Sequence, residues 1–98
     1  WDDEIDRSVE PWHYCTSAFK DVSIWGHRTG NMIRRRDVAF ALERCNGVVA
    51  LIWIRAADRI SEPRKIVERR FMFERIGRID ADSFNPMTGE FSMRLHPA

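Results

Sequence analysis

Residues 66–79, IVERRFMFERIGRI, carry apolar side chains on two competing periods. On a helical wheel advancing about 100° per residue, Ile66, Val67, Phe71, Met72, Phe73 and Ile76 surround the axis instead of forming a stripe. On a two-residue period the segment sorts into a heavier and a lighter face. The heavier carries Val67, Phe71, Phe73 and Ile79; on the lighter, Ile66, Met72 and Ile76 stand among Glu68, Arg70, Glu74 and Arg78. The pattern predicts a strand, with Gly77 as a bulge position. Helix end signals at Ser61, Pro63 and Gly77 compete with it. Further on, DSFNPMTG has turn chemistry, and Phe91, Met93 and Leu95 alternate with Ser92, Arg94 and His96. Residues 69–96 therefore predict two antiparallel strands joined by a loop around 85–89. Glu74 opposite Arg94 is the cross-strand pair to expect if register permits.

Upstream, VVALIWI at 48–54 is a short, continuous, β-branched run after a glycine, which predicts a central strand buried on both faces with Trp53 in the core. Within 32–47, MIRRRDVAFALERCNG, Val38, Ala41, Leu42 and Cys45 recur at helical spacing. Asn31 can cap the start, and Gly47 after Asn46 suits a left-handed stop, so 32–45 is expected as a covering helix. WHYCTSAFKDVSIW, 12–25, is aromatic and β-branched enough to predict a strand, with Ala18, Val22 and Ile24 on one side and Phe19 and Trp25 on the other. GHRTGN, 26–31, reads as a turn, and 56–65 as a connection. The expected fold is a single small α+β domain over 12–98. A mostly antiparallel sheet of four to five strands packs on one helix or two, and 1–11 form an acidic N-terminal arm or linker.

A chain of 98 residues with 44% hydrophobic positions supports one modest core. No apolar run approaches the roughly 18 residues of a membrane span. Two cysteines, Cys15 and Cys45, are too few for a disulfide framework, and reduced thiols of an intracellular protein, cytoplasmic or nuclear, are expected. The chain begins at Trp1 without an initiating methionine, as a processed or excised piece would.

Charge is more informative in its distribution than in its sum. The net charge is +1, yet residues 1–10 hold Asp2, Asp3, Glu4, Asp6 and Glu10 against Arg7. A −4 lead within a +1 chain leaves +5 on the remainder. Lys20 and Lys65 are the only lysines, so the cationic side chains are mostly arginine, which suits bidentate phosphate contacts and stacking. One cluster comprises Arg28, Arg34, Arg35 and Arg36; a second comprises Arg64, Lys65, Arg69 and Arg70. Trp25 and His27 adjoin the first and are candidates for stacking on a base. These residues point to a non-catalytic, arginine-rich domain that binds nucleic acid, RNA above DNA. The alternative is an assembly domain of a structural protein, for example a viral one, that self-associates through a sheet edge or an aromatic surface.

Other chemistries find little footing. His13-x-Cys15, with His27 and Cys45, lacks the paired close spacings of a structural zinc site. Cys15 near His13 or His27 has no nucleophile signature. Asp80 and Asp82 flank a turn, where solvation explains them. GHRTGN lacks the Lys-Ser/Thr of a phosphate-binding loop. No catalytic residue, metal or cofactor is expected, and the protein is not expected to be an enzyme.

Over 12–55, the order SIW, loop, GN, a helix containing VAFAL and a strand VVALIWI is similar to the start of YTH-type domains, which bind methylated RNA bases in an aromatic cage. Residues 56–98 do not match the later tryptophan-bearing segments of that family. The resemblance transfers no site residue.

Overall fold

The computed structural model describes residues 1–16, 22–57 and 65–98. Its strands are Ile5–Asp6 (β1), Trp12–Cys15 (β2), Val48–Ala56 (β3), Ile66–Ile79 (β4) and Ser92–Pro97 (β5). They form one sheet in the order β1-β2-β5-β4-β3, and every neighbouring pair is antiparallel. A short helix, Val22–Trp25 (α1), precedes the long one, Thr29–Arg44 (α2). The fold is thus a small α+β domain. Its Cα radius of gyration, 13.0 Å, is that of about 100 residues packed as one body.

The core forms where α2 meets the sheet. Val38 and Ala41 of the helix are buried with Leu51, Met72, Ile79 and Leu95 of the strands, alongside Tyr14 and Phe91. The helix begins earlier than the apolar pattern implies, with extended Arg28 before its first turn. Asn31 does not cap it from outside. It is buried in the first turn, and its Nδ2 donates to Gly26 O at 2.8 Å and Thr88 O at 2.9 Å, tying the helix start to the loop before β5. The far end closes as the sequence predicts. Asn46 and Gly47 take φ of 54° and 74°, and the amides of Cys45 and Gly47 both donate to Ala41 O at 2.9 Å. A Cβ on Gly47 would lie 2.9 Å from Ile79 O, so both conformation and space call for glycine. Cys45 is exposed and does not join the helix face, and both cysteines are free.

Three expectations are corrected. Residues 12–25 are not one strand. β2 ends at Cys15, where Thr16 turns and exchanges hydrogen bonds with Phe91 at 3.2 Å, and 22–25 are helical. The proposed facing of Ala18 and Phe19 lies outside the described residues. β3 is not central but an edge strand, with Ile52 58% and Val48 43% exposed. An apolar run does not encode how many neighbours a strand has, and here Val48, Ala50 and Ile52 stay exposed. Longer β4 takes the interior place, between β3 and β5. Trp53 is accordingly half-buried, its Nε1 donating to Asp2 Oδ1 at 2.7 Å.

The third correction concerns which face of β4 meets the core. Val49 pairs with Gly77 and Leu51 with Met72, so β4 runs from Met72 to Gly77 while β3 covers only one alternation. The surplus is odd and switches the facing of β4 partway along. Met72, Gly77 and Ile79 all turn inward, whereas Phe71 and Phe73 of the heavier face turn outward. Gly77 is closely packed by its neighbours on the sheet: a Cβ there would lie 2.9 Å from both Met93 Sδ and Val49 Cγ2.

Residues 1–11, read as an acidic arm, supply edge strand β1, with Ile5 opposite Tyr14 and Asp6 opposite His13. Their acids engage neighbouring basic groups. Asp2 accepts from Arg7 at 2.6 Å, and Glu10 from Arg75 at 2.5 Å, with the Arg75 guanidinium 3.8 Å from the Trp12 ring centroid. Among the described residues no helix is long and apolar enough to cross a membrane.

Candidate nucleic-acid interface

The sheet has one face under α2 and one away from it. Tyr14, Met93, Ile79 and Leu51 line the helix side, so strand alternation turns their neighbours to the other. Register then sets a row across the outer face: Asp6 of β1, His13 of β2, Arg94 of β5, Arg78 of β4 and Val48 of β3. Arg78 and Arg94 stand directly opposite each other, both exposed. Residues so placed hold their Cβ atoms about 4.5–5.5 Å apart, and like charges there are destabilising. Neither guanidinium has an acidic partner among the described residues. The row is therefore a pair of uncompensated cations flanked by His13, the arrangement an anion relieves.

Further along the same face lies an aromatic plate. The rings of Phe71 and Phe73 are 5.9 Å apart at 35°, and the residues are 59% and 81% exposed. Ile52 is opposite Phe71, and Ile54 is opposite Arg69. Arg69 is exposed beside the plate on the side away from the Arg78–Arg94 pair. From Val48 to Ile54 the strand rises roughly 20 Å, so cation, aromatic plate and cation succeed one another along a shallow track.

The residues chosen from sequence do not gather there. Arg34 is half-buried under α2, its guanidinium carbon 5.2 Å from the Trp25 ring centroid and 5.5 Å from that of Phe91. Its Nη2 donates to Asn31 Oδ1 at 3.1 Å. Arg35 donates from Nη1 to the carbonyl of Met87. Both serve the helix–loop junction, and Trp25, half-buried beneath Arg34, is not an open stacking surface. Arg36 and His27 are exposed, and half-buried Arg28 caps α2. Lys65 is exposed just before β4. Arg70 is ion-paired with Glu74 at 2.8 Å and lies over Trp53 at 5.1 Å. That hydrogen bond holds the Glu74 carboxyl down at about 2. Glu74 thus pairs along its own strand with Arg70, not across to Arg94 as expected. Arg64 lies outside the described residues. Of the seven cations among the described residues, only Arg69 joins the outer-face track. The two clusters part because α2 covers one face of the sheet while Arg69 stands on the other.

Phe71, Phe73, Arg78 and Arg94 were not among the residues the sequence singled out as a site. The alternation that turns Arg94 away from Met93 and Leu95 was visible, but the register setting it opposite Arg78 was not. Among the described residues no three His, Cys, Asp or Glu side chains gather as a metal site requires. Compared with protein-family models, curated proteins and solved structures, the chain finds no match.

Proposed function

We propose that this domain binds single-stranded nucleic acid, RNA above DNA, on the open face of its sheet. The observation that carries the reading is the coincidence, on one uncovered face, of the unpaired Arg78–Arg94 couple and the exposed Phe71–Phe73 plate. Bases stack on exposed aromatic rings for about 1–3 kcal/mol each, and arginines along the track take the phosphates. Single strands suit an exposed sheet face because their bases are free to splay onto it. The +5 charge outside the first ten residues favours the encounter.

Fluorescence anisotropy with a labelled random-sequence RNA tests this. Binding should weaken as salt rises, and Phe71→Ala with Phe73→Ala should weaken it at every salt concentration. Unchanged affinity in that double variant, with the fold intact, removes the reading.

A second reading is favoured by a separate observation. β3 is an apolar, nine-residue edge strand, and Ile52 and Phe71 beside it are largely exposed. Such an edge can pair with a second copy. A salt-insensitive dimer in sedimentation, lost on Ile52→Lys, supports assembly over nucleic-acid binding.

A further inference from the structure

Between α2 and the sheet is a cavity of about 300 Å3, walled chiefly by Tyr14, Leu51, Trp53, Met72, Phe91 and Met93. Its volume falls at the lower end of small-molecule sites. It holds roughly ten heavy atoms at about 30 Å3 each. Two charged residues also line it, Arg34 and Asp37. Asp37 is exposed, so its carboxylate stands at the rim. Arg34 is the deeper of the two. Its guanidinium is fixed by the Trp25 and Phe91 rings and by one hydrogen bond to Asn31. Asn31 is itself held by two carbonyls. No carboxylate of the described residues forms an ion pair with the Arg34 guanidinium, and a partly buried cation without a counter-ion is costly.

We infer that this cavity binds a small apolar monocarboxylate, with its hydrocarbon body among the aromatic and aliphatic walls and its carboxylate on Arg34. The guanidinium is pre-organised, so little side-chain entropy is lost when the anion arrives. A single negative charge fits because Asp37 at the rim repels a more highly charged head. This site is on the face of the sheet opposite the proposed nucleic-acid track and does not depend on it.

Octanoate, with ten heavy atoms, is the probe. The full chain is titrated with it, with 1-octanol and with octylammonium, following tryptophan fluorescence and calorimetry. Octanoate should saturate one site and bind roughly tenfold or more tighter than 1-octanol, the contribution of a charge-assisted hydrogen bond. Octylammonium should bind more weakly than either. Arg34→Gln should reduce octanoate affinity by a similar factor, and Arg78→Gln with Arg94→Gln should leave it unchanged. If Arg34→Gln does not fold, as near-ultraviolet circular dichroism reports, the comparison of the three probes on the unaltered chain decides alone. Equal binding of octanoate and 1-octanol, or no saturable binding tighter than about 1 mM, overturns the assignment.

Discussion

The two faces of the sheet use the same residue types to opposite ends. On the helix side, arginine is engaged by its neighbours: half-buried Arg34 lies against Trp25 and Phe91, and exposed Arg70 lies over Trp53 with Glu74 beside it. On the outer side, Arg78 and Arg94 face each other without an acid, and Phe71 and Phe73 display their rings to solvent. Aromatic–arginine contact stabilises the domain in one place and remains unsatisfied in the other. Residue counts cannot separate the two, because compensation is a property of neighbours. A surface chosen for its arginine runs alone settles on residues already committed to the fold.

The largest expected effect separates the faces by stability. Leu95, 2% exposed, is the most buried core side chain among the described residues, and Leu95→Ala should cost about 2–5 kcal/mol in a denaturant titration. Phe73→Ala, at an 81% exposed position, should stay within about 0.5 kcal/mol. A comparable loss at Phe73 would mean that the outer face is a core in its own right and would end the comparison.

Next in size is the stacking contribution. Phe71→Ala should weaken single-stranded RNA binding by about 1–3 kcal/mol in an anisotropy titration. Trp25→Ala should disturb the junction around Arg34 and change RNA affinity only through stability. A selective loss of RNA binding at Trp25 would move the site to the helix side.

The arginine couple should show itself in the salt dependence. Arg78→Gln and Arg94→Gln should each lower the slope of log affinity against log salt by about 0.7 if each neutralises one phosphate of a single strand. Arg35→Gln should leave the slope unchanged, since its guanidinium serves the Met87 carbonyl. Removing one arginine of the opposed couple should also relieve repulsion, so the thermal midpoint should not fall.

The smallest effect is acidic. The hydrogen bond from Arg70 lowers the Glu74 carboxyl from 4.5 to about 2, and the one from Arg75 lowers that of Glu10. A carboxylate depressed in the folded state contributes stability above its unfolded value, near 4.5, and loses it as pH falls toward the folded one. Stability should therefore decline from about pH 4.5 to pH 2, and Glu74→Gln should flatten part of that decline in an acid titration. Both carboxylates are exposed, so the change should be slight. An unaltered acid limb in Glu74→Gln would show that the Arg70 contact carries no net stability.

Much of the local structure was written in the sequence. The Asn46-Gly47 stop of α2 follows from the need for left-handed backbone, which glycine adopts without penalty. The helical spacing of Val38 and Ala41 named residues that do enter the core. The two-residue period of 66–79 favoured the strand that forms, against competing helix end signals, and turn chemistry put a loop before β5. These features depend on a few consecutive residues, and their physics is complete within that span.

Register, strand order and facing belong to the tertiary structure. The bulge between Met72 and Gly77 arises from pairing with β3, and its odd surplus turned Phe71 and Phe73 outward while keeping Ile79 inside. The place of β3 at the edge depends on how many strands found a partner, which no single strand encodes. The candidate site itself exists because Arg78 meets Arg94 across two strands and α2 covers only the other face. Contacts between residues far apart in the chain are decided by packing the whole domain at once, and there the local pattern has no further information to give.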